Sequence, residues 1–589
     1  MRAWLARLRT ALAAPISDVG RPDVRGYWVA LALMFTLAVR LVPTLDAVRP
    51  IVFEDEIGYL ANGRLLAGLG AADLGQMGSY QAGWSLVLVP VFWATHNPAV
   101  IYRMAVAIAM LAGWATVFPV AGLLRRATSL RKHEALVVSA LGCLTPGSVL
   151  MGGYVYSEGL LTLVFATGIL LVFKFWERPS VLGAVTLAAC AGYLSAVHGR
   201  MIMVPVLVVI FLLFAVVSRK SRPLAGLAGI AVVLSVVFAS RQLDAYVISR
   251  MYDLSFDRLS QGISGVSQLT RRGLVVLTGG QIWYLLVATG GLVLVGAAVV
   301  GIRSFRELAE RRFGPWTLWA LAASSIYVIS SVNFARSFPN PIRLDYLSYG
   351  RYVDVFAPPL VALALGFTVT RPRASRIALV STAVFTGILA VAFFKAAGSA
   401  PAFAGKPIAA LSVAGVAWAI EPGTNTHPVM LATIGAVIVS LCLAVVGRRP
   451  LAVVLIWAMV ATGASVVGEF RTMRVLDAPW SQLLTLQGPL REFAPDEISY
   501  DTRSYNLYGR NGYQFYLPEV TFAFFDGNTE LPDTDLVISR HEWPLGEAAG
   551  ARIVEAETRL DEALWVMPGQ LQTQLMRQGR IQQPAAVSP

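Results

Sequence analysis

The sequence predicts a polytopic all-α membrane protein of about 13 transmembrane helices with a small C-terminal extracytoplasmic α/β domain. Of its 589 residues, 56% are hydrophobic and only 14% are charged, whereas about 25% of the residues in a soluble domain carry a charge. Long uncharged stretches also recur along the chain, and roughly 20 apolar residues suffice to cross the hydrocarbon core of a bilayer as a helix.

The basic residues predict how these spans are oriented. The spans are expected near residues 26–45, 99–122, 134–152, 159–175, 181–197, 201–217, 223–240, 274–301, 314–331, 353–370, 375–394, 427–446 and 451–467. Short basic loops such as 125–132 and 303–312 recur after every second span, and positive loops stay in the cytoplasm. The N-terminus is therefore expected inside and, because 13 is odd, the C-terminus outside. Residues 82–95 are too short for a comfortable span and are expected to form a juxtamembrane or re-entrant helix on the outer side.

The net charge of +13 is unevenly distributed and excludes a simple nucleic-acid-binding interpretation. Residues 470–589 contain 10 Lys+Arg and 16 Asp+Glu, whereas the rest of the chain contains 38 and 19. The basic residues lie mostly in short loops between spans, where they act as topology signals. We therefore expect membrane lipid and no nucleic acid as a partner, and a multi-pass protein of a bacterial plasma membrane.

The chain divides into a membrane domain at 1–468, a soluble domain at 469–569 and a disordered tail at 570–589. Short β-branched and aromatic runs separated by turns predict strands in the soluble domain. These runs are Glu497–Thr502, Gln514–Leu517, Val520–Phe525, Leu536–Ser539, Arg552–Glu555 and Leu564–Met567. Asp533-Thr534-Asp535 has the Asp-x-Asp pattern of nucleotide-sugar enzymes, but it precedes a strand and is interpreted as a turn. No metal ligand set is predicted.

Carboxylates follow the first span. Phe53–Arg64 contains Asp55 and Glu56, and a helix here would place Asp55, Tyr59 and Asn62 on one face. Such a group is either a solvated cap of a juxtamembrane helix or a general base for an acceptor hydroxyl. A further acid, Glu158, follows Tyr156 at an outer span end, where it is either an interfacial anchor or part of a site.

Arginines also occur on the outer side, against the positive-inside trend. His198-Gly199-Arg200 breaks two apolar spans, and Arg343 and Arg351 flank a loop that contains Tyr349 and ends in Tyr352. Each arginine either snorkels or lies in a solvated loop, or it binds phosphate through its planar guanidinium. Several arginines that converge on one outer cavity would hold a polyprenyl phosphate.

Taken in order, these motifs resemble the C-type (GT-C) glycosyltransferases. They are Asp55-Glu56 with Tyr59, Ser157-Glu158, His198 with Arg200, and Tyr349-Gly350-Arg351-Tyr352 followed by Pro358-Pro359. That group comprises multi-span enzymes that use polyprenyl-phosphate sugars, among them protein O-mannosyltransferases and the lipid A aminoarabinose transferase. The resemblance covers about residues 26–470.

The resemblance implies roles for these residues. Asp55 would be the catalytic base, with Glu56 and Glu158 orienting the acceptor or substituting as base. Arg200, Arg343 and Arg351, with His198, would hold the donor phosphate, and Tyr59, Tyr156, Tyr349 and Tyr352 would contact sugar or acceptor. No cofactor is implied; a divalent metal is compatible with the reaction but not required. The partners would be a polyprenyl-phosphate-linked sugar and an envelope glycan, lipid or protein acceptor.

Two features depart from the family pattern. Met201 follows Arg200 where many relatives have proline, and Tyr80-Gln81-Ala82-Gly83-Trp84 stands where the aminoarabinose enzymes have a lysine-containing loop. The second departure argues against a lipid A substrate. A transporter or lipid flippase, an envelope scaffold protein, and a polymerase or ligase acting on polyprenyl-diphosphate glycans remain the alternatives at this point.

Overall fold

The protein is a bundle of helices followed by one mixed β-sheet. The computed structural model describes residues 24–50, 53–72, 74, 78–252, 271–335, 344–397, 410–420, 428–474, 485–504, 513–557 and 561–581. The helices up to the end of the bundle are α1 Gly26–Leu41, α2 Phe53–Leu66, α3 Ala82–Ala94, α4 Pro98–Ala115, α5 Val117–Ala127, α6 Lys132–Gly142, α7 Pro146–Leu150, α8 Glu158–Glu177, α9 Val181–Val197, α10 Met203–Val217, α11 Pro223–Met251, α12 Arg271–Ala288, α13 Leu292–Ala309, α14 Pro315–Ala335, α15 Ala357–Thr370, α16 Pro372–Ala397, α17 Pro428–Val445 and α18 Pro450–Gly468.

Each predicted span corresponds to a helix or to a bent helix pair. Within the described ranges, nine helices are long and apolar enough to cross a membrane, and two further pairs qualify if each bent pair is one span. Val181–Val197 and Asp354–Thr370 are shorter apolar helices, as is Ala82–Ala94. At 13 residues, α3 is about 20 Å long, less than the roughly 30 Å of a hydrocarbon core. The polytopic helical fold is confirmed, while the count of 13 crossings stays a prediction.

The predicted span 274–301 is not one straight helix. Its two halves, α12 and α13, meet at an angle of 113°. Gly290 and Gly291 have φ of +53° and +79°, a left-handed conformation that glycine adopts without steric cost. The side chain of Ser440 donates to the Gly290 carbonyl, which is thereby satisfied inside the bundle. The glycine pair therefore turns the chain where hydropathy alone predicts continuity.

Local sequence signals account for the helix starts. Proline occupies the first turn of α4, α7, α11, α15 and α18, where its missing N–H costs nothing. Asn97 caps α4 by accepting from the backbone N–H of Ala99 and Val100, and Ser180 caps α9 by accepting from Gly183. Inside the bundle, glycine permits close helix approach: a Cβ at Gly296 would lie 2.1 Å from the Leu360 carbonyl oxygen.

The basic loops meet at one end of the bundle. Arg126, at the end of α5, pairs with Glu177, at the end of α8, with Nε–Oε1 2.8 Å. The Arg303 guanidinium donates to the Ala127 carbonyl at 2.6 Å, and His133 contacts the Val24 carbonyl at the start of the described chain. Loops distant in sequence therefore share one face, as their common charge predicts.

The C-terminal domain is a five-stranded mixed sheet at the opposite end. Its strands are β1 Glu497–Asp501, β2 Thr521–Phe525, β3 Leu536–Arg540, β4 Arg552–Glu557 and β5 Glu562–Val566, in the order β2-β1-β3-β5-β4. β1 pairs in parallel with β2 and β3, and β5 is antiparallel to β3 and β4. Helices α19 Gln487–Phe493, α20 Pro544–Ala548 and α21 Gln570–Arg577 complete the domain.

Five of the six predicted strands are present, and two local predictions are wrong. The run at Gln514–Leu517 lies in a short helical turn, because its aromatic residues pack against the bundle and not into the sheet. The predicted disordered tail begins with a helix, α21, whose Leu575 is buried against the domain. Residues 582–589 lie outside the described residues. Asp533–Asp535 form a bend before β3, as predicted.

Candidate active site

The candidate site lies at the end of the bundle that carries the soluble domain. It is built by α2, the loop before α8, the turn after α9 and the turn before α15. Asp55, in the first turn of α2, forms an ion pair with Arg351 and accepts a hydrogen bond of 2.5 Å from the Tyr80 hydroxyl. Its side chain is 20% exposed, against 6% for Glu158. Asp55 is therefore the more accessible of the two carboxylates that Arg351 contacts.

Arg351 joins the two carboxylates. Its Nε donates to Glu158 Oε1 at 2.8 Å, its Nη1 pairs with Asp55, and its Cζ lies 3.8 Å from the centre of the Tyr156 ring. Burial by itself lowers the pKa of this guanidinium, but Glu158 and Asp55 outweigh burial and raise that pKa above its ordinary value. Arg351 is therefore a permanent, buried cation.

The backbone before α15 fixes Arg351. The N–H groups of Gly350 and Arg351 both donate to the Ser412 carbonyl, at 2.8 and 3.1 Å. Gly350 lies directly on the Tyr284 ring, where a Cβ would come within 2.0 Å of a ring carbon. The Tyr284 hydroxyl in turn donates to Asp354 at 2.7 Å and accepts from the Gly415 N–H at 2.9 Å. This packing leaves the turn little freedom.

Arg200 approaches the same carboxylates from the turn after α9. His198 caps that turn, since its Nδ1 accepts from the Arg200 N–H, and its Nε2 lies 3.3 Å from Arg200 Nη1. Arg200 Nη2 is 3.6 Å from Glu158 Oε1, and the guanidinium lies 4.6 Å from the Tyr352 ring centre. The two predicted arginines Arg200 and Arg351 therefore converge on Glu158.

Several buried polar atoms here have no hydrogen-bond partner among the described residues. They are Arg200 Nε and Nη2, Glu158 Oε2 and the Tyr156 hydroxyl oxygen. The Arg200 side chain is fully buried. A buried donor without a partner costs free energy, roughly 1–3 kcal/mol and more when charged, so native proteins retain few of them. Arg200 Nε and Nη2 make no hydrogen bond here, although Nη2 lies 3.6 Å from Glu158, and with a second arginine beside them they are donors of the kind that bind an oxyanion.

The predicted tyrosines divide into two groups. Tyr349 stacks on Phe334 at 4.1 Å between ring centres and meets Tyr352 at 4.9 Å, so these rings form an aromatic wall beside Arg200. Tyr59 lies 3.3 Å from Ser157, hydroxyl to hydroxyl, and burial raises its pKa. Burial likewise raises the pKa of Tyr156. Both phenols therefore stay neutral at physiological pH.

Glu56 accepts hydrogen bonds from groups other than the two arginines. One of its oxygens accepts from the Tyr102 hydroxyl at 2.7 Å and from the Val155 N–H at 2.8 Å, and the side chain is fully buried. It thus tethers α2 to the loop before α8.

Arg343 lies outside the described residues. In the part of the chain that the structure describes, no group of three or more His, Cys, Asp or Glu is placed to hold a metal ion.

The soluble domain reaches the other face of α2. A cavity here is lined by Ile57, Leu60 and Arg64 of α2 and by Phe515 and Glu519 of the domain. Arg64 Nη2 bonds Glu519 at 2.9 Å, and Phe515 packs edge-on against Tyr102, whose hydroxyl holds Glu56. The helix that carries Asp55 is therefore in direct contact with the domain.

Sequence reasoning did not identify Tyr80, Tyr284 or Asp354 as part of this arrangement. Tyr80 is named above only as a departure from a family loop, and no spacing links it to Asp55. Tyr284 and Asp354 lie inside or beside apolar stretches. An acid at the start of an apolar span is the one available signal, because such a group needs a partner.

Comparison with known proteins supports the fold. No protein-family model matches the chain, and no curated protein sequence matches it. Among solved structures, ArnT from Cupriavidus metallidurans bound to undecaprenyl phosphate aligns over 92% of this chain and 99% of that one, with TM-score 0.56 and 16% identity. ArnT in its apo state aligns over 92% and 97%, with TM-score 0.53 and 16% identity. An oligosaccharyltransferase from Archaeoglobus fulgidus aligns over 88% and 69%, with TM-score 0.43 and 10% identity.

The two ArnT structures cover nearly the whole of both chains, so the likeness extends over the bundle and the C-terminal domain. At 16% identity it establishes the fold. The predicted C-type glycosyltransferase fold, a polytopic helical domain with a small C-terminal α/β domain, is confirmed.

Proposed function

We propose that this protein is an inverting glycosyltransferase that moves a sugar from a polyprenyl-phosphate donor to a hydroxyl of an extracytoplasmic acceptor. One observation carries the proposal: the buried, unpartnered donors of Arg200 lie beside Arg351, and Arg351 holds the accessible carboxylate Asp55. Anion site and base candidate thus occupy one cluster. The solved ArnT structure with the same fold is bound to undecaprenyl phosphate, which supports a lipid-linked donor.

The donor phosphate would exchange partners with the ion pairs of the site. The charges of Arg200 and Arg351 are balanced by Asp55 and Glu158. A phosphate oxygen bound to Arg200 Nε and Nη2 satisfies those donors and competes with Asp55 for Arg351 Nη1. Glu158 keeps Arg351 Nε, so Arg351 stays in the site when Asp55 is released. Binding of the donor phosphate would thereby release Asp55 from Arg351, so that Asp55 could act as the base.

Asp55 would then accept the proton of the acceptor hydroxyl while the acceptor oxygen attacks the anomeric carbon. The bond from that carbon to the phosphate oxygen breaks, and the electron pair leaves with the polyprenyl phosphate. The additional negative charge on the phosphate is stabilised by Arg200 and Arg351. Glu158 is held by Arg351 and is nearly inaccessible, so one carboxylate remains for the reaction and the configuration inverts.

Charge distribution supports the extracytoplasmic side for this reaction. The basic loops lie at the end of the bundle opposite the site, and positive loops stay in the cytoplasm. The site and the soluble domain would then face outward, where lipid-linked sugars and envelope acceptors are available. The contact of the domain with α2 supports a role in admitting the acceptor, which would be an envelope glycan, lipid or protein.

Sugar release from a panel of polyprenyl-phosphate sugars tests the function, with wild type measured beside Asp55→Asn. We expect turnover in wild type and a loss of at least about 10²-fold in the variant, the low end for a general base. Donor binding by Asp55→Asn should be equal or tighter, because the phosphate no longer competes with a carboxylate for Arg351. Asp46→Asn is the matched control, since Asp46 pairs with Arg474 on the same side and is 66% exposed.

Two outcomes would contradict the proposal in different ways. Absence of both turnover and donor binding across the panel would favour a transporter or flippase. Turnover that survives in Asp55→Asn would retain the enzyme and remove Asp55 as its base.

A further inference from the structure

Tyr80 is held against α2 at three points. Its hydroxyl donates to Asp55 Oδ1 at 2.5 Å, and its backbone carbonyl accepts from the Asn62 side chain at 3.0 Å. Its ring packs against Gly58, where a Cβ would come within 2.2 Å of a ring carbon, and its centre lies 5.2 Å from that of the Tyr59 ring. The glycine is therefore what lets a buried tyrosine reach Asp55 from a different segment.

The two oxygens of Asp55 have different partners. Oδ1 accepts from Tyr80, whereas Oδ2 pairs with Arg351. In the proposed reaction the donor phosphate displaces Asp55 from Arg351 Nη1, while Glu158 keeps Arg351 in the site and the Tyr80 bond to Oδ1 is retained. A base must hold its orientation at the moment the proton moves, and Asp55 is joined to α2 only through a side chain with two rotatable bonds.

We propose that Tyr80 is a positioning residue for the transfer reaction: it fixes Asp55 Oδ1, so that Oδ2 faces the acceptor hydroxyl once the donor phosphate has displaced Asp55 from Arg351 Nη1. This inference rests on the proposed function and goes beyond it, because it assigns a role to a residue that acts through its hydrogen bond to Asp55. A tyrosine hydroxyl suits the role, since it donates one directed bond and brings no charge to compete with Arg351 for the phosphate.

The charges around Asp55 define the pH behaviour that Tyr80 should influence. Arg351 faces Asp55 as a cation, and Tyr59, Tyr156 and Tyr349 face it as neutral phenols. A hydrogen bond donated to a carboxylate favours its charged form. Removal of the Tyr80 hydroxyl should therefore raise the pH at which Asp55 protonates, by about one unit for a bond of ordinary strength to a charged group.

Tyr80→Phe tests the role, with Tyr252→Phe as the matched control. Tyr252 donates its hydroxyl at 2.8 Å to Asn62 of the same helix, so both variants remove one buried hydroxyl bonded to α2, and only one of these hydroxyls touches Asp55. The first readout is the acidic limb of the pH profile of kcat/KM for sugar transfer. The second is the carboxylate titration of Asp55 in donor-free full-length protein, from infrared difference spectra of each protein against the same protein carrying Asp55→Asn.

We expect Tyr80→Phe to lower kcat about 10-fold and to move both the acidic limb and the infrared midpoint up by about one pH unit, while Tyr252→Phe moves neither. The role of Tyr80 would be overturned if Tyr80→Phe turned over substrate with the acidic limb of kcat/KM and the infrared midpoint of Asp55 unchanged. It would also be overturned if Tyr252→Phe shifted both by the same amount. Neither result would contradict the proposed transferase function. Wild type without turnover would instead overturn the proposed function, and with it the role of Tyr80 in that reaction.

Discussion

Asp55 and Arg351 are 296 residues apart in the sequence, and their side chains form an ion pair in the folded protein. The same guanidinium donates from Nε to Oε1 of Glu158, the first residue of α8, at 2.8 Å. Three segments therefore depend on one buried cation for their charge balance. Removal of one partner from such a group is costly, because the remaining charges stay buried.

Arg351→Ala should destabilise the protein strongly, because the buried Glu158 carboxylate loses its hydrogen-bonded cation and Asp55 loses the cation with which it pairs. We expect a loss of about 3–5 kcal/mol in the free energy of unfolding, measured by thermal unfolding in detergent. Arg351→Lys should lose less, since it keeps the charge but cannot bond both carboxylates with a planar fork. Arg312→Ala is the control: Arg312 and its partner Glu310 are 66% and 59% exposed, so that change should stay within about 1 kcal/mol. Equal losses in Arg351→Ala and Arg312→Ala would contradict the central place of Arg351.

Arg200→Gln should affect donor binding more than stability. Arg200 Nε and Nη2 make no hydrogen bond within the described residues, and Glu158, which pairs with Nη2 at 3.6 Å, keeps its bond to Arg351 when Arg200 is replaced. Loss of charged hydrogen bonds worth roughly 1.5–3 kcal/mol corresponds to about 10- to 100-fold weaker binding. Binding of a labelled polyprenyl-phosphate sugar measures it, and Arg250→Gln, an exposed arginine at the end of α11, supplies the control. An unchanged affinity in Arg200→Gln would place the donor elsewhere.

Much of the fold was predictable because membrane insertion constrains local sequence so tightly. Each predicted span has a helix, and the basic loops share one end of the bundle. Hydropathy does not predict the break at Gly290-Gly291, because it averages over a window and does not register two positive φ angles. The composition of Gln514–Leu517 suits a strand, but the packing of Phe515 on Tyr102 favours a helical turn there.

The candidate site was predictable in its charged groups and not in its neutral ones. Asp55, Glu158, Arg200 and Arg351 stand out in the sequence because charges are rare near membrane spans, and the structure brings these four together. Tyr80 carries no such signal, since tyrosine is common at membrane interfaces. Glu56 also stands out as a charged residue. Its carboxylate accepts a hydrogen bond from Val155 in the loop before α8, a contact that the sequence does not predict. The catalytic and binding roles of the site residues stay predictions.

Gly350→Ala should disturb the site through packing. The added Cβ would come within 2.0 Å of the Tyr284 ring, so the ring or the turn must move, and the Tyr284 bond to Asp354 and the placement of Arg351 change with it. Overpacking of this kind costs about 1–3 kcal/mol. Thermal unfolding measures the loss, and donor binding should weaken in parallel. Gly387→Ala, with no atom within 4 Å of the added Cβ, is the control and should leave both unchanged. Equal behaviour of the two variants would mean that the turn before α15 is not tightly packed.

Glu562 should make the stability of the C-terminal sheet depend on pH. It lies fully buried on β5, where its carboxyl group contacts the Tyr500 hydroxyl. Burial raises its pKa from 4.5 to about 8, and nearby Glu557 and Asp561 add to the shift against the lowering effect of Tyr500. The folded domain therefore binds this proton more tightly than the unfolded chain does. The stabilisation is complete below about pH 4.5 and is lost as the pH rises from there to about 8.

Hydrogen exchange of the β3 and β5 amides in the full-length protein, corrected for intrinsic exchange rates, measures this dependence. Protection in wild type should fall between pH 5.5 and 8, because an ionised Glu562 has no cation among its described contacts to offset its burial. Glu562→Gln keeps the shape without the charge and should flatten the dependence in that window. Glu555→Gln, on the neighbouring strand and partly exposed, should retain the wild-type profile. A profile in Glu562→Gln as steep as in wild type would contradict the prediction, because it would show that another group titrates.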